Sequence, residues 1–158
     1  MSSVRTYQRI TAIAMFDSYP SETPLRLERM IRRVRDVQAE ALDRELATFD
    51  INATQFTILT ALVSGDANCA AALCKRVSYD PGAMTRMVYR LVKKGLIRRV
   101  ACPDDRRMLY LEVTDEGKAL YPELQARAET VQNRFRRGFT EVEVRQFEAL
   151  LQRTLSNA

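Results

Sequence analysis

Residues 68–117 decide the fold, with the sequence NCAAALCKRVSYDPGAMTRMVYRLVKKGLIRRVACPDDRRMLYLEVTDEG. The stretch predicts a short helix, a tight turn, a second helix and a two-stranded hairpin. Asp80-Pro81 is a strong start signal for the second helix, because Asp is favoured at the N-cap and Pro at the first helical position. Gly95 predicts where that helix ends, since glycine readily adopts the left-handed backbone that follows a helix.

Positive charge is concentrated in this stretch. Residues 75–107 hold ten Lys and Arg against three Asp, a net charge of +7 in a chain whose total is +5. Basic side chains that neutralise phosphates release counterions and so drive binding to nucleic acid. The stretch therefore predicts a helix-turn-helix that faces DNA. The alternative is a basic helix face that contacts only solvent. For a basic run without other supporting signals, that alternative would be the better interpretation.

The flanking sequence predicts further helices. Apolar residues at helical spacing indicate one long helix over 25–48 and another from 115 to about 137. We expect Thr54 to cap a second helix with the apolar face Phe56, Leu59, Leu62 and Val63, and Asn68 to cap a third over 69–77. Thr140 and Glu143 form a capping box for a last helix. Ile97–Val100 and Leu109–Val113 are the expected strands.

The predicted fold is mainly α with a small β-hairpin wing: a winged helix-turn-helix flanked by N- and C-terminal dimerisation helices. We expect an N-terminal arm over 1–24, a helical dimerisation region over 25–52 and 115–158, and a winged helix-turn-helix DNA-binding domain over 53–114. The terminal helices carry apolar stripes that the middle of the chain alone cannot bury. Pairing with the same helices of a second copy would bury them, so we expect a two-fold homodimer.

The second helix of a helix-turn-helix places its N-terminal half in the major groove. Small residues there permit close approach, Arg86 can fork onto guanine, and Thr85 can contact a thymine methyl or a phosphate. Residues further along meet phosphates. At the wing tip, Asp105 can hold one arginine in the geometry that enters a minor groove. The predicted DNA-binding residues are Pro81, Gly82, Thr85, Arg86, Tyr89, Arg90, Lys93, Lys94, Asp105, Arg106 and Arg107.

Composition argues against several other functions. Histidine is absent, which removes the commonest general base and metal ligand. We also find no metal-ligand spacing and no phosphate-binding glycine-rich loop, so we expect neither an enzyme nor a cofactor. Three cysteines, an odd number without a disulfide framework, suit a reducing cytoplasm. No apolar run approaches the roughly 18–20 residues of a membrane span, so we expect no membrane partner.

The segment 73–117 resembles the winged helix-turn-helix of the MarR family of bacterial regulators. The similarity includes Asp80-Pro81-Gly82, Met84-Thr85-Arg86 and the run from Leu91 to Arg99. The family's wing pattern is met by Asp105, Arg107, Leu111, Val113 and Thr114. The resemblance implies a homodimer that binds pseudo-palindromic operators in double-stranded DNA, usually as a repressor. It also implies release from the operator when a small phenolic, carboxylate or other anionic ligand binds.

The same resemblance places a ligand pocket near the first long helix, the second helix and the winged domain. We expect Arg33 as the carboxylate anchor, with Met30, Phe56 and an arm aromatic, Phe16 or Tyr19, as walls; each could equally be plain core or interface. Cys102 lies beside basic residues that would lower its thiol pKa, so a redox-responsive repressor is one alternative. An architectural DNA binder without an effector, and a protein–protein adaptor, are the others.

Overall fold

The computed structural model describes residues 25–77, 79–101 and 109–157. Six helices and two strands occur in these ranges, along with a single 3₁₀ turn at Ala47–Phe49. They are α1 (Leu25–Leu46), α2 (Ala53–Val63), α3 (Ala70–Val77), α4 (Pro81–Lys93), β1 (Ile97–Ala101), β2 (Leu109–Val113), α5 (Asp115–Arg136) and α6 (Glu141–Ser156). The predicted arm over 1–24 and the wing tip over 102–108 lie outside the described residues.

The chain divides into two compact units, Met1–Val37 and Gln38–Ala158. The described part of the first unit is the N-terminal portion of α1, which leaves four large apolar side chains exposed: Leu27, Met30, Ile31 and Val34. The second unit contains a continuous core to which α2, α3, α4, the hairpin and α5 contribute. Its fully buried members include Leu46, Ile58, Leu59, Leu73, Met84, Leu91, Ile97 and Leu124.

The start of α2 differs from the prediction. The N-cap is Asn52 rather than Thr54: Asn52 Oδ1 accepts from Gln55 N at 2.8 Å, and Gln55 Oε1 accepts from Asn52 N at 3.2 Å. Asn is among the best N-cap residues and the reciprocal Gln completes a capping box. The apolar face is also rotated, because Ile58 is buried whereas Val63 is exposed. Thr54, within the helix, instead shares a hydrogen bond with the Tyr79 hydroxyl at 3.0 Å.

The helix-turn-helix agrees closely with the prediction. Asp80 is the N-cap of α4 and Pro81 its first residue, and Asp80 Oδ1 accepts from Ala83 N at 2.9 Å. Helix α3 begins one residue later than expected, at Ala70. Asn68 lies two residues before it, and its backbone carbonyl accepts a hydrogen bond from Leu111 N in β2 at 2.7 Å. That bond ties the hairpin to the segment that precedes α3.

The hairpin is antiparallel, with Ile97 opposite Val113 and Ala101 opposite Leu109. Its end leads directly into α5, and Thr114 joins the two. Thr114 N donates to Leu96 O at 3.1 Å and Thr114 Oγ1 donates to Gly95 O at 2.6 Å. The same hydroxyl caps α5 by accepting from Gly117 N at 3.1 Å. The end of α4 and the start of α5 are therefore joined through one threonine.

Helix α6 begins with the predicted capping box. Thr140 N and Thr140 Oγ1 donate to Glu143 Oε2 at 2.7 and 2.8 Å, and Glu143 N donates to Thr140 Oγ1 at 3.3 Å. Several apolar side chains on and before this helix remain exposed: Phe139, Val142, Phe147, Leu150 and Leu155. Among the described residues, no single helix is both long and apolar enough to span a membrane. One bent pair, Arg26–Phe49 with Ala53–Val63 at 81°, meets that test by length and composition only.

The capping box gives a pH prediction. The backbone N–H of Thr140, followed by its hydroxyl, lowers the pKa of Glu143 below the ordinary value of 4.5. Because the folded pKa is the lower one, the box stabilises the fold above about pH 4.5, and this contribution is lost as pH falls through the folded pKa. We expect an NMR titration of the Glu143 carboxyl to give a midpoint below 4.5, and Thr140→Ala to move it back towards 4.5. A midpoint at or above 4.5 in the wild-type protein would contradict the capping interaction.

Candidate nucleic-acid interface

Helix α4 has two chemically distinct faces. Met84, Val88 and Leu91 are buried and attach it to the core. The opposite face is exposed to solvent along the length of the helix and carries Thr85, Arg86, Tyr89, Arg90 and Lys93. All five residues of the exposed face are among the predicted DNA-binding residues. Three cations therefore project from the second helix of the helix-turn-helix.

The N-terminal turn of α4 is shaped by small residues. Pro81 and Gly82 are both exposed. A Cβ atom added to Gly82 would lie 3.1 Å from Asp80 Oδ1 and 3.6 Å from Arg86 Nη1. The Arg86 guanidinium thus lies beside a residue without a side chain, next to the N-cap carboxylate. The Thr85 hydroxyl donates to Pro81 O at 2.8 Å, so its methyl group and its oxygen lone pairs remain for other contacts.

Lys94 does not belong to this exposed face, although the sequence predicted a phosphate contact for it. Its side chain is only 25% exposed. The ammonium donates to the Asp50 carbonyl and lies 3.1 Å from Asp50 Oδ2 and 3.4 Å from Gln55 Oε1. The sequence could not reveal this contact, because Asp50 and Lys94 are far apart along the chain. The structure thus shows the Lys94 ammonium in a partly buried contact within the protein, and the predicted phosphate contact of Lys94 stays a prediction.

The hairpin also carries basic residues, and one of them is paired within the protein. Arg98 on β1 is held by Glu112 on β2, with Nε and Nη2 of the guanidinium 3.0 and 2.8 Å from Glu112 Oε2. The hydrogen bond to Glu112, together with the attraction of its charge, raises the pKa of Arg98. The carboxylate of Glu112 therefore compensates part of the positive charge of Arg98. Asp105, Arg106, Arg107 and Cys102 lie outside the described residues, so their predicted roles stay predictions.

The list of predicted DNA-binding residues omits four exposed cations in the described part of the basic stretch. Arg98 is paired with Glu112, and Arg76 with Asp66 at 2.9 Å; the other two are Lys75 and Arg99. Lys75 is exposed on α3 and Arg99 is exposed on β1. The first helix of a helix-turn-helix crosses the nucleic-acid backbone, which makes Lys75 a candidate phosphate contact. Lys75 and Arg99 both lie in the basic stretch over 75–107, so the charge pattern of the sequence could have identified them.

The predicted effector residues fall in different parts of the chain, and the structure describes three of them, each within its own unit. Met30 and Arg33 are exposed on α1. Phe56 is half-buried, and its ring stacks on that of Tyr121 with centroids 6.0 Å apart and an interplanar angle of 13°. Phe16 and Tyr19 lie outside the described residues. The ring of Phe56 thus packs α2 against α5. The ligand pocket stays a prediction.

The geometry is that of a winged helix-turn-helix, and comparison with known proteins identifies its family. The sequence model of the MarR family matches residues 51–109. The multiple antibiotic resistance protein MarR of Salmonella typhimurium is 32% identical over 130 residues, which cover 82% of this chain and 90% of that protein. The chain belongs to the MarR family. The family consists of DNA-binding transcriptional regulators and not of enzymes, which confirms the class of function that the basic stretch predicted.

One further relative and two solved structures also resemble this chain. The transcriptional repressor MdtR of Bacillus subtilis is 26% identical over 82% of this chain and 81% of its own length. The crystal structure of a mutant MarR from E. coli complexed with operator DNA is 31% identical, with a TM-score of 0.75 over 82% of this chain and 93% of that one. CouR of Rhodococcus jostii, bound to p-coumaroyl-CoA, shares the fold at 22% identity and a TM-score of 0.70. The predicted fold class is confirmed.

Proposed function

We propose that this MarR-family regulator is a homodimeric repressor that binds a pseudo-palindromic operator and leaves it when a small aromatic or anionic ligand binds. The observation that carries the proposal is the exposed face of α4, where Arg86, Arg90 and Lys93 project from a helix whose other face is buried in the core. MarR of E. coli, which resembles this chain in sequence and structure, is the protein in complex with operator DNA. Because the proposed target is DNA, the proposed place of action is the cytoplasm.

We assign roles to four residues of the face: Thr85, Arg86, Arg90 and Lys93. Arg86 forks onto a guanine, and the Thr85 methyl group contacts a thymine. Pro81 and Gly82 let the start of α4 approach the base edges closely. Arg90 and Lys93 neutralise phosphates, which fixes the register of the protein on the duplex. In the wing, Asp105 orients Arg106 or Arg107 into the adjacent minor groove.

The homodimer rests on exposed apolar surface. Helix α1 exposes between 40 and 61% of Leu27, Met30, Ile31 and Val34, and α6 exposes 70% of Leu155. Leaving such side chains in water forgoes the free energy of their burial, about 25 cal/mol per Å² of apolar area. The proposed domain division follows: residues 25–52 and 115–158 make the dimer, and residues 53–114 bind DNA.

The ligand class rests on residue chemistry. Arg33 is an exposed guanidinium on α1 and can hold a carboxylate in a bidentate geometry. Met30 on the same helix offers an adaptable apolar surface for an aromatic ring. Binding that favours the DNA-free arrangement of the dimer over the DNA-bound one would release the operator.

The test begins with selection of duplexes from a random library by the purified wild-type protein. We expect an enriched duplex with two inverted half-sites about one helical turn apart. Fluorescence anisotropy should show it bound about 10³-fold or more tightly than a scrambled duplex of the same composition, with a steep loss of affinity as salt rises. Light scattering should give twice the chain mass, and salicylate-like acids should lower the affinity.

Four outcomes would count against parts of this proposal. Equal, weak affinity for all duplexes would replace the repressor by an architectural DNA binder. Tight operator binding that ignores every aromatic acid would remove the ligand class, and release by oxidant that Cys102→Ser abolishes would replace it with a redox signal. A monomer in light scattering would remove the two-fold operator.

A further inference from the structure

The last turn of α4 is fastened to the segment between α1 and α2. Lys94, the C-cap residue of α4, directs its ammonium to two oxygens of that segment, the Asp50 carbonyl and Asp50 Oδ2 at 3.1 Å, and to Gln55 Oε1 in the first turn of α2 at 3.4 Å. An ammonium has three N–H donors and no acceptor, so these partners can occupy all of them. The group is then not free to bind a phosphate.

The acceptors are themselves held in place. Asp50 adopts a left-handed backbone with φ 54°, and its N–H donates to Ala47 O at 3.0 Å. Gln55 is a buried polar residue, 3% exposed, whose Oε1 also accepts from Asn52 N. Ala53 N donates to Asp43 Oδ1 on α1 at 2.6 Å. The segment over 43–55, here called the elbow, is therefore braced by its own hydrogen bonds before Lys94 reaches it.

The contacts of the ammonium with the Asp50 carbonyl and with Gln55 matter more than its contact with the Asp50 carboxylate. The Asp50 carboxylate is 92% exposed, so its attraction for the ammonium is screened by water and contributes little. The backbone carbonyl and the amide oxygen of Gln55 are fixed acceptors close to a side chain that is itself largely shielded from solvent. Removal of the ammonium would leave these acceptors without their charged donor.

We propose that Lys94 is a positioning residue: its contact with the elbow sets the angle at which α4 meets DNA, and it carries no phosphate contact of its own. The proposal rests on the proposed function and deepens it, because it assigns the geometry of the reading helix to a residue that touches no DNA. Lys93 and Lys94 are adjacent lysines with opposite roles. Lys93 is exposed and binds phosphate, whereas Lys94 orients the helix.

The pair supplies a matched comparison, Lys94→Met against Lys93→Met, on the enriched duplex and its scrambled counterpart at several salt concentrations. Loss of a phosphate contact weakens binding to all sequences alike and lowers the salt slope by about one per contact. We expect that pattern for Lys93→Met. For Lys94→Met we expect an approximately tenfold fall in the ratio of operator to scrambled affinity, with the salt slope unchanged. If Lys94→Met instead matches Lys93→Met in slope and ratio, the positioning role is wrong.

Lys94→Arg is the second variant and keeps the test decisive if Lys94→Met does not fold. It retains the positive charge, but a planar guanidinium does not fit the compact place of the ammonium among the same three oxygens. Positioning therefore predicts a reduced ratio of operator to scrambled affinity in Lys94→Arg, with the salt slope unchanged; an unchanged ratio would overturn it. Failure of the wild-type protein to enrich any duplex would overturn the proposed function instead, so the two failures are distinct.

Discussion

Gly117→Ala is expected to lower the free energy of unfolding by about 3 kcal/mol, since the new methyl group has no room and overpacking of this kind is costly. A Cβ atom at Gly117 would lie 2.2 Å from Leu96 O and 2.7 Å from Val113 Cγ1. The first of these is a backbone atom that cannot move without displacing the turn after α4. Urea unfolding followed by circular dichroism measures the change.

Gly82→Ala is the matched control. It also adds one methyl group near the start of a helix, but the nearest atoms, Asp80 Oδ1 at 3.1 Å and Arg86 Nη1 at 3.6 Å, belong to side chains. Asp80 Oδ1 also caps α4 through Ala83 N, so a small displacement of this cap offsets part of the roughly 1 kcal/mol by which helices favour alanine over glycine. The control should therefore stay within about 1 kcal/mol of the wild-type protein. Equal stability of both variants would show that α5 can shift away from Leu96 at little cost.

Arg86→Ala is expected to reduce affinity for the enriched operator by about 10- to 100-fold, because a bidentate contact to guanine is worth about 1–3 kcal/mol. Stability should change little, since Arg86 is exposed. The preference of the protein for guanine over other bases should also decrease at one position of each half-site. Anisotropy on the operator and on duplexes substituted at single positions measures both effects.

Arg127→Ala provides the comparison for that loss. Arg127 is an exposed arginine on α5, so its removal takes the same charge from the chain at a site outside the proposed DNA-binding face. Because α5 belongs to the proposed dimerisation region, light scattering should first show that this variant has the same mass in solution as the wild-type protein. We expect its operator affinity to stay within about threefold of wild type, as long-range charge effects are screened beyond roughly 10 Å. If the two variants weaken binding equally, net charge and not the α4 face determines affinity.

The parts of the fold that sequence could predict are those decided by neighbouring residues. Asp80-Pro81, Gly95 and the Thr140–Glu143 box act within a few residues, and each occupies its predicted position. The wrong cap at Thr54 shows the limit of that reasoning. Asn52 and Thr54 are both acceptable N-caps, and the choice depended on Gln55, which lies three residues after Asn52 and completes the box.

The candidate site was predictable to the extent that helical periodicity decides it. Periodicity separates the buried stripe of α4 from Thr85, Arg86, Tyr89, Arg90 and Lys93. It could not place Lys94, because the rotation of the last turn relative to the elbow is a property of tertiary packing. Charge alone made Lys94 resemble Lys93, and only burial distinguishes them.

The attachment of α4 at its C-terminal end has a mechanical consequence. Lys94 binds the elbow, and Thr114 binds the carbonyl of Gly95, while Pro81 and Gly82 lie at the other end of a helix of 13 residues. At 1.5 Å per residue the helix is a lever about 20 Å long. A tilt of about 10° around its anchored end moves the other end by about 3 Å, as far as the full length of a hydrogen bond. Small adjustments in the two attachments are therefore amplified at Pro81 and Gly82, the end of α4 that we propose to approach the bases.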